Sequence, residues 1–257
     1  MWHAAAYGFF VYAAVLAVAM RGLTARRRTG ALIFAAAGVV FTSAGILAPS
    51  GSVARDWLLP PAVLLTAYWA SGCLFVAPQP AVERAFMAVD RALHVRERAR
   101  RVPRWLTWCL ELAYCGVYAL IPAALALHLL LSTNPDVERF WTAVLLVDFI
   151  CFAWLPWIQT RPPRALESEA PWQSPIRSLN VRLLGATSIQ VNTFPSGHAA
   201  EGLAAALLVM GTPLPVVALM FIAAAAVSAG AVLGRYHYFV DAVSGWIVAL
   251  IVCAVVL

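Results

Sequence analysis

Two short segments near the C-terminal end of the chain combine residue types suited to phosphoryl transfer. The first, residues 195–198, reads PSGH and contributes His198; the second contributes His237 and, four residues later, Asp241. A carboxylate that bonds one imidazole nitrogen fixes the tautomer and leaves the other nitrogen free to attack phosphorus. Residues four apart share one face of a helix, so we expect Asp241 to orient His237. His198 is expected to protonate the leaving oxygen as general acid.

Neighbouring residues have the donors that a phosphate group needs. If Gly197 opens a helix, the free amides of the first turn point outward and bind phosphate oxygens, and the Ser196 hydroxyl adds a hydrogen bond. The planar guanidinium groups of Arg161, Arg164 and Arg235 can hold further oxygens. The sequence therefore predicts a phosphate site made by these five residues. The alternatives are an ordinary helix start, a basic loop that only stops a span, and a structural ion pair between an arginine and the aspartate.

Composition places these residues in a membrane protein. Hydrophobic residues make up 63% of the 257-residue chain and charged residues 12%, whereas soluble domains have roughly 25% charged residues. Apolar runs near the ~20 residues that cross a bilayer recur along the chain. We expect an all-α fold, a polytopic membrane helix bundle of about eight transmembrane helices. The predicted spans are residues 2–20, 30–48, 57–77, 105–131, 138–158, 197–212, 213–233 and 237–257.

The arginines predict the orientation in the membrane. All 18 basic residues are arginines, and they cluster after the first predicted span and between the third and fourth. The loops expected on the other side hold only Arg55 and Arg139. Because cytoplasmic loops carry the excess of basic residues, we expect a multi-pass protein of the bacterial inner (plasma) membrane whose histidine segments lie at the cytoplasmic face.

Two segments outside the predicted spans are polar. Residues 80–103 carry apolar residues at helical spacing with arginines between them, which predicts either an amphipathic helix in the membrane interface or a basic loop that sets topology. Residues 165–193 are too polar to span. We expect them to form a loop or surface helix that caps the site.

Besides Asp241, and Glu138 at the start of a span, three acidic residues fall within the predicted spans. Ionisable groups inside a membrane usually have a function or a tight partner. For Glu111 and Asp148 the alternatives are hydrogen bonding behind the site and contact with a substrate headgroup. Glu201, one turn beyond His198, is expected to lie in the first turn of a helix or to act as a hydrogen-bond partner of the site.

Three sequence blocks, in this order and separation, resemble the type 2 phosphatidic acid phosphatase superfamily. They are PPR at 162–164, NTFPSGH at 192–198, and YHY at 236–238 followed by Asp241. The resemblance covers about residues 140–257 and is closest to the branch that includes the inositol phosphorylceramide synthases and many bacterial relatives. It implies a phosphatase-type catalytic core over 105–257, preceded by N-terminal transmembrane helices and a basic interfacial segment over 1–104.

The resemblance also implies roles for the site residues. His237 would be the nucleophile that forms a phosphohistidine, Asp241 would orient it, and His198 would be the acid for the leaving group. Arg164, Ser196, Gly197 and Arg235 would bind the phosphate, and the family needs neither a metal nor another cofactor. The five cysteines agree with this, because none has the spacing of a metal site or a disulfide framework.

The chain departs from the superfamily pattern at two positions. The lysine usual seven residues before the Arg-Pro pair is replaced by Trp154, and the arginine usual six residues before the nucleophilic histidine is replaced by Ala231. Arg235 is the expected substitute for the second. Either the phosphate pocket is rebuilt, as in the synthase-like branch, or it is weakened.

Three functional hypotheses follow. The first is an integral membrane phosphatase that hydrolyses a lipid phosphate or pyrophosphate through a metal-independent phosphohistidine. The second passes the phosphoryl headgroup to an alcohol instead of water, and the third is a non-catalytic lipid-binding scaffold. The expected partners are the lipid phosphate substrate and membrane lipids, with no nucleic acid.

Overall fold

The computed structural model describes residues 2–257, and the described chain is helical except for its connections. The helices are α1 (Trp2–Ala19), α2 (Ala25–Leu47), α3 (Leu59–Cys73), α4 (Pro80–Ala92), α5 (Val95–Arg100), α6 (Arg104–Leu131), α7 (Val137–Ala153), α8 (Pro175–Thr187), α9 (Gly197–Leu208), α10 (Leu214–Leu233) and α11 (Phe239–Val256). A π-helical turn (Ala54–Leu58) precedes α3, and a 3-10 turn (Pro163–Ala165) follows α7. The all-α prediction is confirmed.

Each of the eight predicted spans contains one helix of the bundle. Within residues 2–257, five helices are long and apolar enough to cross a membrane, namely α1, α2, α6, α10 and α11. Helices α3, α7 and α9 have 15, 17 and 12 residues and end earlier than predicted. A proline follows each of them within a few residues, at Pro78, Pro156 and Pro213, and proline cannot extend a helix. The expectation of a multi-pass helical bundle is confirmed.

Helix α9 lies at the centre of the bundle and carries His198 at its start. It packs against α6, α7, α10 and α11, and most of its residues are buried alanines, glycines and leucines. Small residues let neighbouring backbones approach closely. The closest approach is made by α11, where a Cβ added to Gly245 would lie 2.5 Å from the carbonyl oxygen of Ser196. Glycine at this position therefore holds α11 against the start of α9.

The predicted interfacial segment forms two helices rather than one. Helix α4 ends at Ala92, and His94 adopts a left-handed conformation with φ of 50° before α5 begins. The inward face of α4 is acidic, because Glu83 and Asp90 are its buried residues. The amphipathic helix was predicted from apolar spacing, but its two buried carboxylates, seven residues apart, attach it to the rest of the protein.

The basic segments and both histidine segments lie at the same end of the bundle. The connection between α1 and α2 and the helices α4 and α5 carry the arginine clusters, and α9 and α11 begin at this end. Arg55 lies at the opposite end, where its guanidinium group is 3.4 Å from Glu138. The prediction that the site and the arginine-rich loops share one face is thus reproduced by the topology.

We expect Gly245→Ala to destabilise the protein and to disturb the start of α9. The added methyl group would overlap the Ser196 carbonyl oxygen, which is backbone and cannot rotate away. Overpacking of this kind costs ~1–3 kcal/mol, which thermal unfolding in detergent would detect. The matched control is Gly116→Ala on α6, where an added Cβ has no neighbour within 4 Å. Equal unfolding temperatures for the two variants would contradict the close approach.

Candidate active site

Backbone hydrogen bonds bring the three sequence blocks together at the basic end of the bundle. The first block follows α7, the second leads into α9, and the third connects α10 to α11. The three bonds join Asn192 N to Thr160 O, Ser196 N to Asp241 O and Arg164 N to Arg235 O, each at 2.9 Å. The blocks predicted to form one site therefore do converge, through main-chain contacts that do not depend on side-chain rotamers.

The second histidine lies beside its aspartate, but not on the same helix. His237 belongs to the turn before α11, whereas Asp241 is in the first turn of that helix. The Oδ2 atom of Asp241 accepts a hydrogen bond from Tyr238 N at 2.8 Å and one from Asn192 Nδ2 at 2.9 Å. The same Oδ2 atom is 3.5 Å from His237 Nδ1, which has no other partner. The expected pairing is present, although it arises from helix capping rather than from helical spacing.

The first histidine faces the second across the site. The ring centroids of His198 and His237 are 5.8 Å apart. The His198 ring stacks on Tyr114 at 5.3 Å, and its Nε2 atom is 3.3 Å from the Tyr118 hydroxyl. Tyr236 stacks on the other side of Tyr114 at 4.1 Å. This aromatic column fixes the plane of His198 relative to the turn that carries His237.

The start of α9 is built as predicted. Ser196 is the N-cap, and its hydroxyl oxygen accepts a hydrogen bond from Ala199 N at 3.3 Å. The amides of Gly197 and His198 in the first turn have no intrahelical acceptor and can bind an anion. The Ser196 side chain is fully buried and oriented by this cap, so its contribution to a ligand is limited to donating its hydroxyl proton.

Arg164 is the predicted arginine that the structure brings to the histidines. Its guanidinium group lies over the Tyr236 ring at 5.5 Å, and its Nη1 donates to the Tyr236 carbonyl oxygen at 3.4 Å. The charge is close enough to act electrostatically on both His198 and His237. Because the side chain is only half-buried, it retains donors for a ligand.

The other two predicted arginines are paired with carboxylates of the protein. Arg235 is 1% exposed, and its guanidinium group is paired with Asp90 at 2.6 Å and with Glu167 at 2.8 Å. Arg161 binds Glu83 through its backbone amide, Nε and Nη2 atoms. These hydrogen bonds hold the pKa of Glu83 below its usual value. Neither arginine is brought to the histidine pair, because the acidic face of α4 requires both as partners.

A buried network behind the site agrees with the hydrogen-bonding alternative for Glu111, although sequence reasoning did not identify its partners. Glu111 of α6 is 1% exposed and lies among four donor side chains. They are Trp172 at 2.8 Å, Arg177 at 3.0 Å, Asn180 at 2.6 Å and Tyr236 at 2.7 Å. The polar segment expected to cap the site thus contains a helix, α8, whose inner face is attached to this carboxylate. The hydroxyl of Tyr236 connects the network to the turn of His237.

Comparison with known proteins decides the family. A family model described as the PAP2 superfamily matches residues 84–255. The chain belongs to the PAP2 superfamily. The match confirms the resemblance to type 2 phosphatidic acid phosphatases and extends it toward the N-terminus, so that α4, α5 and α6 fall within the family region. No curated protein and no solved structure matches the chain, and the resemblance to the synthase-like branch stays a prediction.

The family region includes all three sequence blocks that converge. Family membership supports an enzyme of the lipid phosphate phosphatase type and lipid phosphates as the class of substrate. Among residues 2–257, no group of three or more histidine, cysteine, aspartate or glutamate side chains is arranged to hold a metal ion, and the five cysteines are free.

We expect Arg164→Met to lose affinity for a phosphate mimic and Arg235→Met to lose stability. Loss of Arg164 should weaken binding of orthovanadate, a phosphate mimic, by ~10-fold or more, because a hydrogen bond to a charged group contributes about 1.5–3 kcal/mol. Loss of Arg235 leaves two buried carboxylates unpaired and should cost ~3–5 kcal/mol of stability. The measurements are vanadate affinity by calorimetry and thermal unfolding in detergent.

The control for both is Arg139→Met, because Arg139 lies at the opposite end of the bundle with a half-exposed side chain. It should change neither property. An Arg235→Met protein that unfolds normally and has lost vanadate affinity would restore the sequence-based assignment of Arg235 to the phosphate.

Proposed function

We propose that this protein is an integral membrane lipid phosphatase that hydrolyses a lipid phosphate or pyrophosphate through a metal-independent phosphohistidine. The observation that carries the proposal is the arrangement of three side chains. The Oδ2 atom of Asp241 is 3.5 Å from His237 Nδ1, and the centroids of the His237 and His198 rings are 5.8 Å apart. This arrangement supports His237 as a nucleophile oriented by a carboxylate, with His198 as the acid across a phosphate bound between the two rings.

The first half of the reaction transfers the phosphoryl group to the protein. Asp241 holds the Nδ1–H tautomer of His237, so that Nε2 attacks phosphorus. Attack and departure are in line, and the bond from phosphorus to the ester oxygen breaks as the new P–N bond forms. His198, protonated at this stage, gives its proton to the departing oxygen, and the lipid alcohol is the first product.

The second half returns the protein to its starting state. A water molecule takes the place of the alcohol, His198 accepts its proton, and the hydroxide attacks phosphorus as the P–N bond breaks. Inorganic phosphate is released, and His237 is again neutral. Through both steps Arg164 and the first-turn amides of α9 face the charge that develops on the phosphate oxygens.

We expect His237→Ala to abolish phosphate release and His198→Gln to reduce it by ~10²–10⁴-fold, the usual contribution of a general acid. The assay uses detergent-purified protein, a panel of lipid phosphates and pyrophosphates, and a chelator in every reaction. A substrate labelled in its phosphate should leave acid-labile, alkali-stable label on the wild type and none on His237→Ala.

The control substitution is Gly116→Ala, where an added Cβ has no neighbour within 4 Å. Release that stops in chelator, or that persists in His237→Ala, would contradict the proposed mechanism. Labelling without release of inorganic phosphate would indicate that the phosphoryl group passes to an alcohol instead of water.

We further propose that the site opens to the cytoplasm, because it shares the end of the bundle that carries the arginine clusters. In a variant without native cysteines, a single cysteine would replace either Ser168, which is exposed beside the site, or Thr133, which is exposed at the opposite end. In intact cells, an impermeant thiol reagent should label position 133 and leave position 168 unlabelled until the cells are opened. The reverse pattern would place the site on the outer face.

A further inference from the structure

A small cavity is lined by His198 but not by His237. Its volume is about 110 Å³, and helices α3, α6, α7 and α9 contribute to its walls. The part nearest the lipid is apolar, with Leu64, Leu65 and Trp69 of α3. Leu65 is 43% exposed on the outer surface of the bundle. The cavity therefore joins the catalytic histidine to the surface from which a lipid would arrive.

Two carboxylic acids line the inner part of this cavity. Asp148 of α7 is fully buried, and no donor among residues 2–257 reaches either of its side-chain oxygens. Glu201, one turn beyond His198, lines the same cavity. The Oδ1 atom of Asp148 would be 3.4 Å from a Cβ added to Gly197. Asp148 thus lies beside the residue that starts α9.

Only one acid of this pair can be ionised. Two carboxylates at one small cavity with apolar walls cannot both carry a charge, and the mechanism proposed above uses neither of them. One neutral acid and one carboxylate together present one O–H donor and several acceptor lone pairs. A hydroxyl group between them can accept the O–H proton and donate its own proton to the carboxylate. An ammonium group has donors only and can use only the acceptors.

The position of the cavity relative to the reaction identifies the part of the substrate that enters it. In-line displacement puts the leaving oxygen opposite His237, on the His198 side. The carbon atoms next to the ester oxygen then extend past His198 into the cavity, and the rest of the chain extends toward the lipid.

We propose that Asp148 and Glu201 recognise a hydroxyl group on the leaving alcohol, close to its ester oxygen. This inference rests on the proposed function, which makes the alcohol the leaving group, and it narrows the substrate class. The preferred substrate is a lipid phosphate with a free hydroxyl group within a few bonds of the phosphate ester, rather than a plain alkyl or prenyl phosphate.

The test compares ligands that differ in one hydroxyl group. Binding of dodecane-1,2-diol and of dodecan-1-ol to the purified protein is measured by thermal unfolding at matched mole fractions in the micelle. Phosphate release is measured from dodecyl phosphate and 2-hydroxydodecyl phosphate. We expect the hydroxylated member to be favoured by ~10–100-fold in both measurements, the size of a hydrogen bond to an ionised group. In the Asp148→Leu and Glu201→Leu variants, the ratio between the hydroxylated ligand and the plain ligand should fall toward one.

The matched control is Thr66→Val, which changes a buried polar residue of α3 outside the cavity and should keep the preference. Equal binding of diol and alcohol by the wild type would overturn the proposal. So would a preference that survives both leucine variants, or tighter binding of 2-aminododecan-1-ol than of the diol. No release from either phosphate, with the diol still favoured, would instead reject the proposed phosphatase activity and leave the hydroxyl site standing.

Discussion

A fully buried carboxylate has to find donors within the protein, and Asp241 finds them for its Oδ2 atom, whereas its Oδ1 atom has no hydrogen-bond partner among residues 2–257. Its side chain caps α11 through Tyr238 N, binds Asn192 from the segment before α9, and faces His237 across 3.5 Å. Its backbone oxygen accepts from Ser196 N at 2.9 Å. Because burial of an unsatisfied charge is costly, these contacts are mutually dependent. Contacts of this one residue therefore connect the two histidine segments.

The different partners of the three arginines follow from the same cost of burying an unpaired charge. The buried carboxylates of Glu83 and Asp90 on α4 take Arg161 and Arg235 as partners, which leaves Arg164 beside the histidines. The positions where the superfamily usually has another lysine and arginine hold Trp154 and Ala231. The proposed phosphate site therefore has one guanidinium group and the amides at the start of α9 as its donors, and ion pairs hold helix α4 behind it.

Hydropathy and motif spacing predicted the helices and the residues of the histidine pair, because apolar periodicity and local chemistry are properties of short segments. They did not predict the charge partners. Arg235 and Asp90 are 145 residues apart and Arg161 and Glu83 are 78 apart, so their pairing is decided by packing rather than by local sequence. The break at His94 and the turn that carries His237 were missed for a related reason, since spacing alone does not reveal where capping ends a helix.

The short central helix α9 has a consequence for how the protein responds to its bilayer. A helix that faces lipid tilts or shifts when the hydrocarbon thickness changes. Twelve residues extend only ~18 Å, well short of the ~30 Å hydrocarbon layer, and other helices enclose α9. Protein packing therefore surrounds His198, and we expect the outer helices to absorb hydrophobic mismatch while the histidine pair keeps its geometry across membranes of different thickness.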